Sequence, residues 1–160
     1  MKNICTTALL ACGIALATST LPAAAQTRDA ALFAAAEKAQ PAVIETLREL
    51  VLIESGSGNV PGLIRIADYA EARLKSLGAT TERIKFVNSD RVMVKGVLTG
   101  SGTLKVMLLA HMDTVYPEGI FATQPIRTEG NKMFGPGIAD DKGGMAVSLP
   151  SLAILRDVGS

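Results

Sequence analysis

Tryptophan is absent from this 160-residue sequence, histidine occurs once, and aromatic residues make up only 4% of it. So few flat side chains exclude a platform on which nucleic-acid bases could stack. Neither sign of charge is in excess: 16 Lys and Arg stand against 15 Asp and Glu, a formal +1. That leaves no field to steer nucleic acid or to hold an anionic membrane surface. Cysteine occurs twice, as Cys5 and Cys12, both in an apolar stretch near the N-terminus. The remainder of the chain therefore has no disulfide, no thiolate metal site and no cysteine nucleophile. What the sequence does have is hydrophobic residues, 48% of the total against 19% charged, which excludes a disordered tail. The length suits one domain.

Part of that hydrophobicity belongs to a leader. Met1-Lys2-Asn3 supplies one positive charge, an apolar stretch runs from Ile4 to Ala17, and Ala23-Ala24-Ala25 precede Gln26. The apolar stretch is too short to span a bilayer comfortably, and small residues at its end are what a signal peptidase admits. Residues 1–25 are expected to be a signal peptide, and the rest a periplasmic or secreted chain without membrane attachment. Removing the leader takes away Lys2 alone and leaves acidic and basic residues balanced.

The remaining chain reads as α/β. Residues 26–39 are Ala-rich and suit an N-terminal helix or a loosely held arm. Pro41 suits the first position of a helix, where its missing N–H costs nothing, and Val43, Leu47, Leu50 and Val51 form one stripe to about Ile53. Ser55-Gly56-Ser57-Gly58-Asn59 reads as a loop. Pro61 opens a second helix with Leu63, Ala67, Ala70, Leu74 and Leu77 on one face, closed by Gly78. The period then changes: residues 80–86 and 92–98 read as strands, with a turn over 99–102. Leu104 to Ala110 holds an unbroken apolar run, the habit of a central strand buried on both faces. A hairpin is expected around Gly130-Asn131, between Ile126 and Phe134. A last helix is expected from about Gly143 to Asp157, kinked or broken at Pro150, which removes a hydrogen bond to Ala146.

Two motifs carry chemistry. His111-Met112-Asp113 stands where the expected buried strand ends, and ligands bind at the carboxyl ends of strands in open α/β sheets. An imidazole there can coordinate a metal through one nitrogen while a carboxylate accepts the N–H of the other. Residues two apart in an extended segment project to one side, so His111 and Asp113 can cooperate. Taken alone, a strand-end histidine suits a solvated or hydrogen-bonded role equally. The second motif is Gly135-Pro136-Gly137-Ile138-Ala139-Asp140-Asp141-Lys142-Gly143-Gly144. Adjacent carboxylates at a helix start repel one another unless something positive neutralises them. A helix N-terminus does so in part and a divalent cation in full. Helix capping by Asp140 or Asp141 is the alternative reading.

Taken together, these motifs resemble those of the co-catalytic zinc aminoacylase and carboxypeptidase family of metallopeptidases, within it most of all the bacterial glutamate carboxypeptidases of the carboxypeptidase G type. The resemblance runs from Gln40-Pro41-Ala42-Val43-Ile44 through His111-Met112-Asp113-Thr114-Val115-Tyr116 to the Asp140 motif. It implies a central mixed sheet flanked by helices. It implies that His111 binds one zinc, that Asp113 is the catalytic carboxylate orienting it, and that Asp140 bridges two zinc ions, with the bond to Asp141 cis. The implied reaction is metal-assisted hydrolysis of a C-terminal amide bond with release of glutamate from peptides or folate-like N-acyl glutamates, a separate glutamate acting as base. Deacylation of N-acyl amino acids and dipeptide cleavage are the alternatives that the family offers.

A dinuclear zinc site takes more ligands than two, and the family's second metal-binding histidine and its Glu-Glu pair have no match in these 160 residues. Residues 26–160 are accordingly expected to be the N-terminal portion of the catalytic domain of a longer enzyme. Dimerisation is an expectation only for that complete form, and the chain alone is expected to be inactive. An inactive exported fragment, or an unrelated exported binding domain, are the competing possibilities.

Overall fold

The computed structural model describes residues 28–158; the expected signal peptide lies outside the described residues. Helix α1 spans Ala30–Val51. It starts at Asp29, whose carboxylate accepts the backbone N–H groups of Ala31 and Leu32 at 2.9 and 3.0 Å, satisfying two donors that lack intrahelical partners. The helix runs without interruption through Pro41, where two separate segments were expected. Proline removes one hydrogen bond, but the alanines before it are strong helix formers and the apolar stripe beyond it is anchored in the core.

Helix α2, Val60–Ser76, is capped by Asn59, which accepts the N–H of Gly62 at 2.9 Å. It ends as expected at Gly78, whose φ of +85° favours a residue without a side chain. Strands β1, Thr80–Lys85, and β2, Val92–Val97, pair antiparallel with Thr80 opposite Val97 and Lys85 opposite Val92. Arg83 on β1 ties this hairpin to α2 through Asp68 and Glu71, at 2.6 Å each. The short strands β3, Arg127–Glu129, and β4, Lys132–Phe134, form the expected hairpin across Gly130-Asn131.

Helix α3, Gly143–Asp157, packs against α1. The core lies between the three helices: Leu50 and Val51 from α1, Leu63, Ile66, Ala67 and Ala70 from α2, Met145, Ala146 and Leu149 from α3. Burying a side chain of the size of Leu50 or Ile66 contributes about 1.5–3 kcal/mol. The expected break at Pro150 does not occur. Pro150 is buried with Leu149, and packing against α1 offsets its helix cost of roughly 3 kcal/mol.

The α/β character holds, but its sheet component among the described residues is two separate antiparallel hairpins. Leu104 to Ala110 forms no ladder, and Leu104, Val106, Met107, Leu108 and Leu109 are exposed. An apolar run specifies burial only where neighbouring strands cover it, and no described strand lies beside this one. Among the described residues, no helix is long and apolar enough to cross a membrane.

Candidate metal centre

The segment after the exposed run is held from one side. Ser55-Gly56-Ser57, within the expected loop, lies parallel to Met112-Asp113-Thr114 and bridges to it at Gly56 and Thr114. The N–H of Thr114 donates to the Ser55 carbonyl and that of Ser57 to the Thr114 carbonyl, both at 2.9 Å. The Ser55 hydroxyl donates to the Met112 carbonyl at 2.8 Å. Ser55 and Thr114 are buried, and Met112 packs against the core cluster that includes Leu50 and Ile66. Residues 111–113 are thereby fixed to the end of α1 without a sheet.

On this support the predicted residues converge. His111 Nδ1 lies 3.2 Å from Asp113 Oδ1 and 3.0 Å from the Asp113 carbonyl. Two acceptors beside one nitrogen require that Nδ1 carry a proton. The opposite nitrogen, Nε2, lies 2.8 Å from Asp140 Oδ1. Asp141 turns the other way: its Oδ2 accepts the backbone N–H of His111 at 3.3 Å. Asp140 and Asp141 sit in a five-residue turn, Ile138–Lys142, with extended φ and ψ of −136° and 92° at Asp140, and the bond between them is cis. Neither carboxylate caps α3 by a side-chain hydrogen bond, so the capping alternative is not what the structure shows. The hydrogen bond to Asp140 raises the His111 pKa above its ordinary 6.5 against the opposing effect of burial, and Asp113 adds to the rise. The Asp113 carboxyl lies below its usual 3.8, chiefly because the Ser57 hydroxyl donates to it.

An imidazole nitrogen facing a carboxylate, with the other ring nitrogen already committed to a carboxylate, is a donor set suited to zinc. His111 Nε2 and Asp140 Oδ1 could hold such an ion. Asp113 and Asp141 are engaged in orienting His111. Among the described residues, no group of three or more His, Cys, Asp or Glu gathers into a metal-holding cluster, so the pair supplies part of a ligand set.

Two supporting residues escaped the sequence reading. Glu54 accepts the backbone N–H groups of Gly119 and Phe121 at 2.9 and 3.4 Å, fixing the short helical turn Ile120–Ala122. Lys142 directly follows the aspartate pair, is 2% exposed, and donates to the Ile53 carbonyl at 2.5 Å. It ties the Asp140 turn to the end of α1. Burial pushes its pKa down to about 8, with Glu54 acting in the opposite direction. The unfolded chain, near the ordinary 10.5, thus holds a proton that the folded chain gives up, so stability rises with pH above 8. From pH 7 to 9.5 the gain from this group is about 2 kcal/mol. Tyr69, pushed up to about 12, opposes it only above pH 10. Urea unfolding at pH 7 and 9.5 should show the rise, and Lys142→Met should flatten it.

Residues 107–160 match the model of "Peptidase family M20/M25/M40". Carboxypeptidase G2 of Pseudomonas sp. (strain RS-16) is 49% identical over 140 residues, covering 86% of this chain and 33% of the relative. Acetylornithine deacetylase of Myxococcus xanthus is 35% identical over 118 residues, covering 68% of this chain and 30% of the relative. The chain thus spans about a third of the length of these curated relatives. The segment carrying His111, Asp113 and Asp140 thus matches the model of peptidase family M20/M25/M40, and the chain is similar to carboxypeptidase G2 over most of its length.

Proposed function

We propose that this chain provides one wall of a zinc-dependent hydrolase that releases a C-terminal glutamate from peptides or folate-like N-acyl glutamates. The observation that carries this reading is the 2.8 Å approach of His111 Nε2 to Asp140 Oδ1, two donors 29 residues apart, with the far side of the ring locked by Asp113. In this reading His111 and Asp140 would hold the metal, and Asp113 would keep the proton on Nδ1 so that the Nε2 lone pair is free for the cation. Asp141 holds the His111 backbone in place. Zinc held there would supply Lewis acidity to a scissile carbonyl and to water. Glu54 is engaged by two backbone N–H groups, and the resemblance gives the role of base to a glutamate that has no match in these 160 residues. Glutamate is the choice of the bacterial glutamate carboxypeptidases whose motifs these residues resemble. Deacylation of N-acyl amino acids is the second reading, favoured by the likeness to acetylornithine deacetylase. Export to the periplasm or medium is supported by the leader sequence.

The test has two parts. On residues 26–160, zinc binding followed by calorimetry over a pH series is expected to weaken as the pH falls, since a proton competes with the cation for His111 Nε2. Turnover is not expected from two protein ligands alone. The natural full-length gene product, loaded with zinc, is expected to release glutamate from N-acyl glutamates. Cleavage of N-acetylornithine in preference would favour the second reading, and no zinc binding to either protein would sink both.

A further inference from the structure

We propose that Ser57 is a positioning residue for this centre, fixing the rotation of the Asp113 carboxylate and through it the tautomer of His111. The inference rests on reading the His111–Asp140 pair as a metal site, but its first readout needs no metal.

Ser57 Oγ lies 2.6 Å from Asp113 Oδ2 and 3.1 Å from the Thr114 carbonyl. A hydroxyl has one proton to donate. The Thr114 carbonyl already accepts the Ser57 N–H, and the shorter, charge-assisted bond takes the hydroxyl proton. Each Asp113 oxygen then has one partner: Oδ2 faces the Ser57 hydroxyl and Oδ1 faces His111 Nδ1. A carboxylate held at both oxygens cannot rotate about its terminal bond without losing one of them. Without Ser57, Oδ1 loses that restraint, and His111 Nδ1 keeps only the Asp113 carbonyl as a fixed acceptor. Ser57 is itself restrained, because its backbone belongs to the bridge with Thr114. Fifty-six positions separate it from Asp113, so the contact exists only in the folded chain.

Because His111 is the only histidine, its ring nitrogens can be read without ambiguity by long-range ¹H–¹⁵N correlation. In metal-free residues 26–160 carrying Asp140→Ala, which removes the acceptor 2.8 Å from Nε2, at a pH where the ring is neutral, the Nδ1–H tautomer is expected to dominate. In that background Ser57→Ala is expected to give a mixture of tautomers, and in the parent it is expected to weaken zinc binding about tenfold, in the range for losing an outer-shell partner. Ser57→Thr should keep both properties of the parent. Ser55→Ala removes a neighbouring hydroxyl from the same strap, bonded to the Met112 carbonyl. It should lower stability without changing the tautomer. In an Asp113→Asn background, Ser57→Ala should add nothing further to the loss of zinc affinity. If Ser57→Ala loses its amide fingerprint, Ser57→Cys, similar in size and a poor donor, takes its place. A tautomer unchanged in these Ser57 variants overturns the proposal, as does a further tenfold loss from Ser57→Ala when Asp113→Asn is already present. If the tautomer shifts as expected but neither parent nor variant binds zinc, the metal reading fails and the positioning role stands.

Discussion

Replacing His111 with alanine is expected to lower zinc affinity by about 100-fold or more while leaving the melting temperature within a degree or two of the parent. The first half follows from the donor set. The sequence has one histidine, and its two cysteines, Cys5 and Cys12, lie in residues 1–25. With the ring gone, Asp140 remains as a single carboxylate, 82% exposed, competing with water for the ion; imidazole is the stronger zinc donor of the two. The second half follows from exposure. The His111 side chain is 49% exposed, so truncating it opens no cavity, and its bonds to Asp113 and Asp140 are solvent-screened contacts of small net value. Competition against a chromophoric chelator measures the affinity, and a thermal melt in the presence of chelator measures the stability. A large fall in melting temperature would mean that the ring holds the fold together and that the loss of metal is secondary.

The second large effect is expected at Gly56, in the opposite sense: a loss of stability first and of metal binding as its consequence. A Cβ on Gly56 would collide with the Tyr116 carbonyl oxygen, and the obstacle is backbone rather than a flexible side-chain end. Relief requires Ser55-Gly56-Ser57 to move away from residues 112–116, stretching the two 2.9 Å backbone bonds that join them. Those bonds contribute roughly 1 kcal/mol each, and overpacking adds about 1–3 kcal/mol. Gly56→Ala is therefore expected to cost about 3–5 kcal/mol, a large share of the roughly 5–15 kcal/mol of a typical domain. Gly58, two residues on, has nothing within 4 Å of the same position, so Gly58→Ala should change stability by less than about 0.5 kcal/mol. Urea unfolding of the pair makes the comparison internally controlled. Equal losses would mean that the strap at Gly56 does not approach Tyr116 as closely as described.

The parts of this fold that were legible in advance are those decided by local chemistry. Pro61 and Gly78 bound α2 by backbone geometry that neighbours do not alter. The strands at Thr80–Lys85 and Val92–Val97 and the hairpin at Gly130-Asn131 follow from the change of period and from turn residues. Pro41 and Pro150 misled for the converse reason. Each carries a local penalty, but the continuity of α1 and α3 is decided by the apolar surface that those helices bury against one another. The run Leu104–Ala110 misled because hydrophobicity states a demand for cover without supplying it. At the candidate centre, His111, Asp113 and Asp140 were legible as residue types at telling positions, and the structure brings them together. Ser57 was not, because Ser-Gly-Ser-Gly carries the composition of any loop. Its partner lies 56 positions away, and only the parallel bridge at Gly56 shows that this stretch supports the centre.

That spacing also bears on the order in which the molecule comes together. The contacts across the centre close loops of 29 and 56 residues, and the entropic cost of closure grows only slowly with loop length, the longer exceeding the shorter by roughly 0.6 kcal/mol. Both contacts join segments that flank the packed helices: Ser57 lies between α1 and α2, and Asp140 lies just before α3. A cation spanning His111 and Asp140 would then act as a clasp fastened after assembly, favouring the folded population by mass action in proportion to its concentration while leaving the rate of collapse untouched.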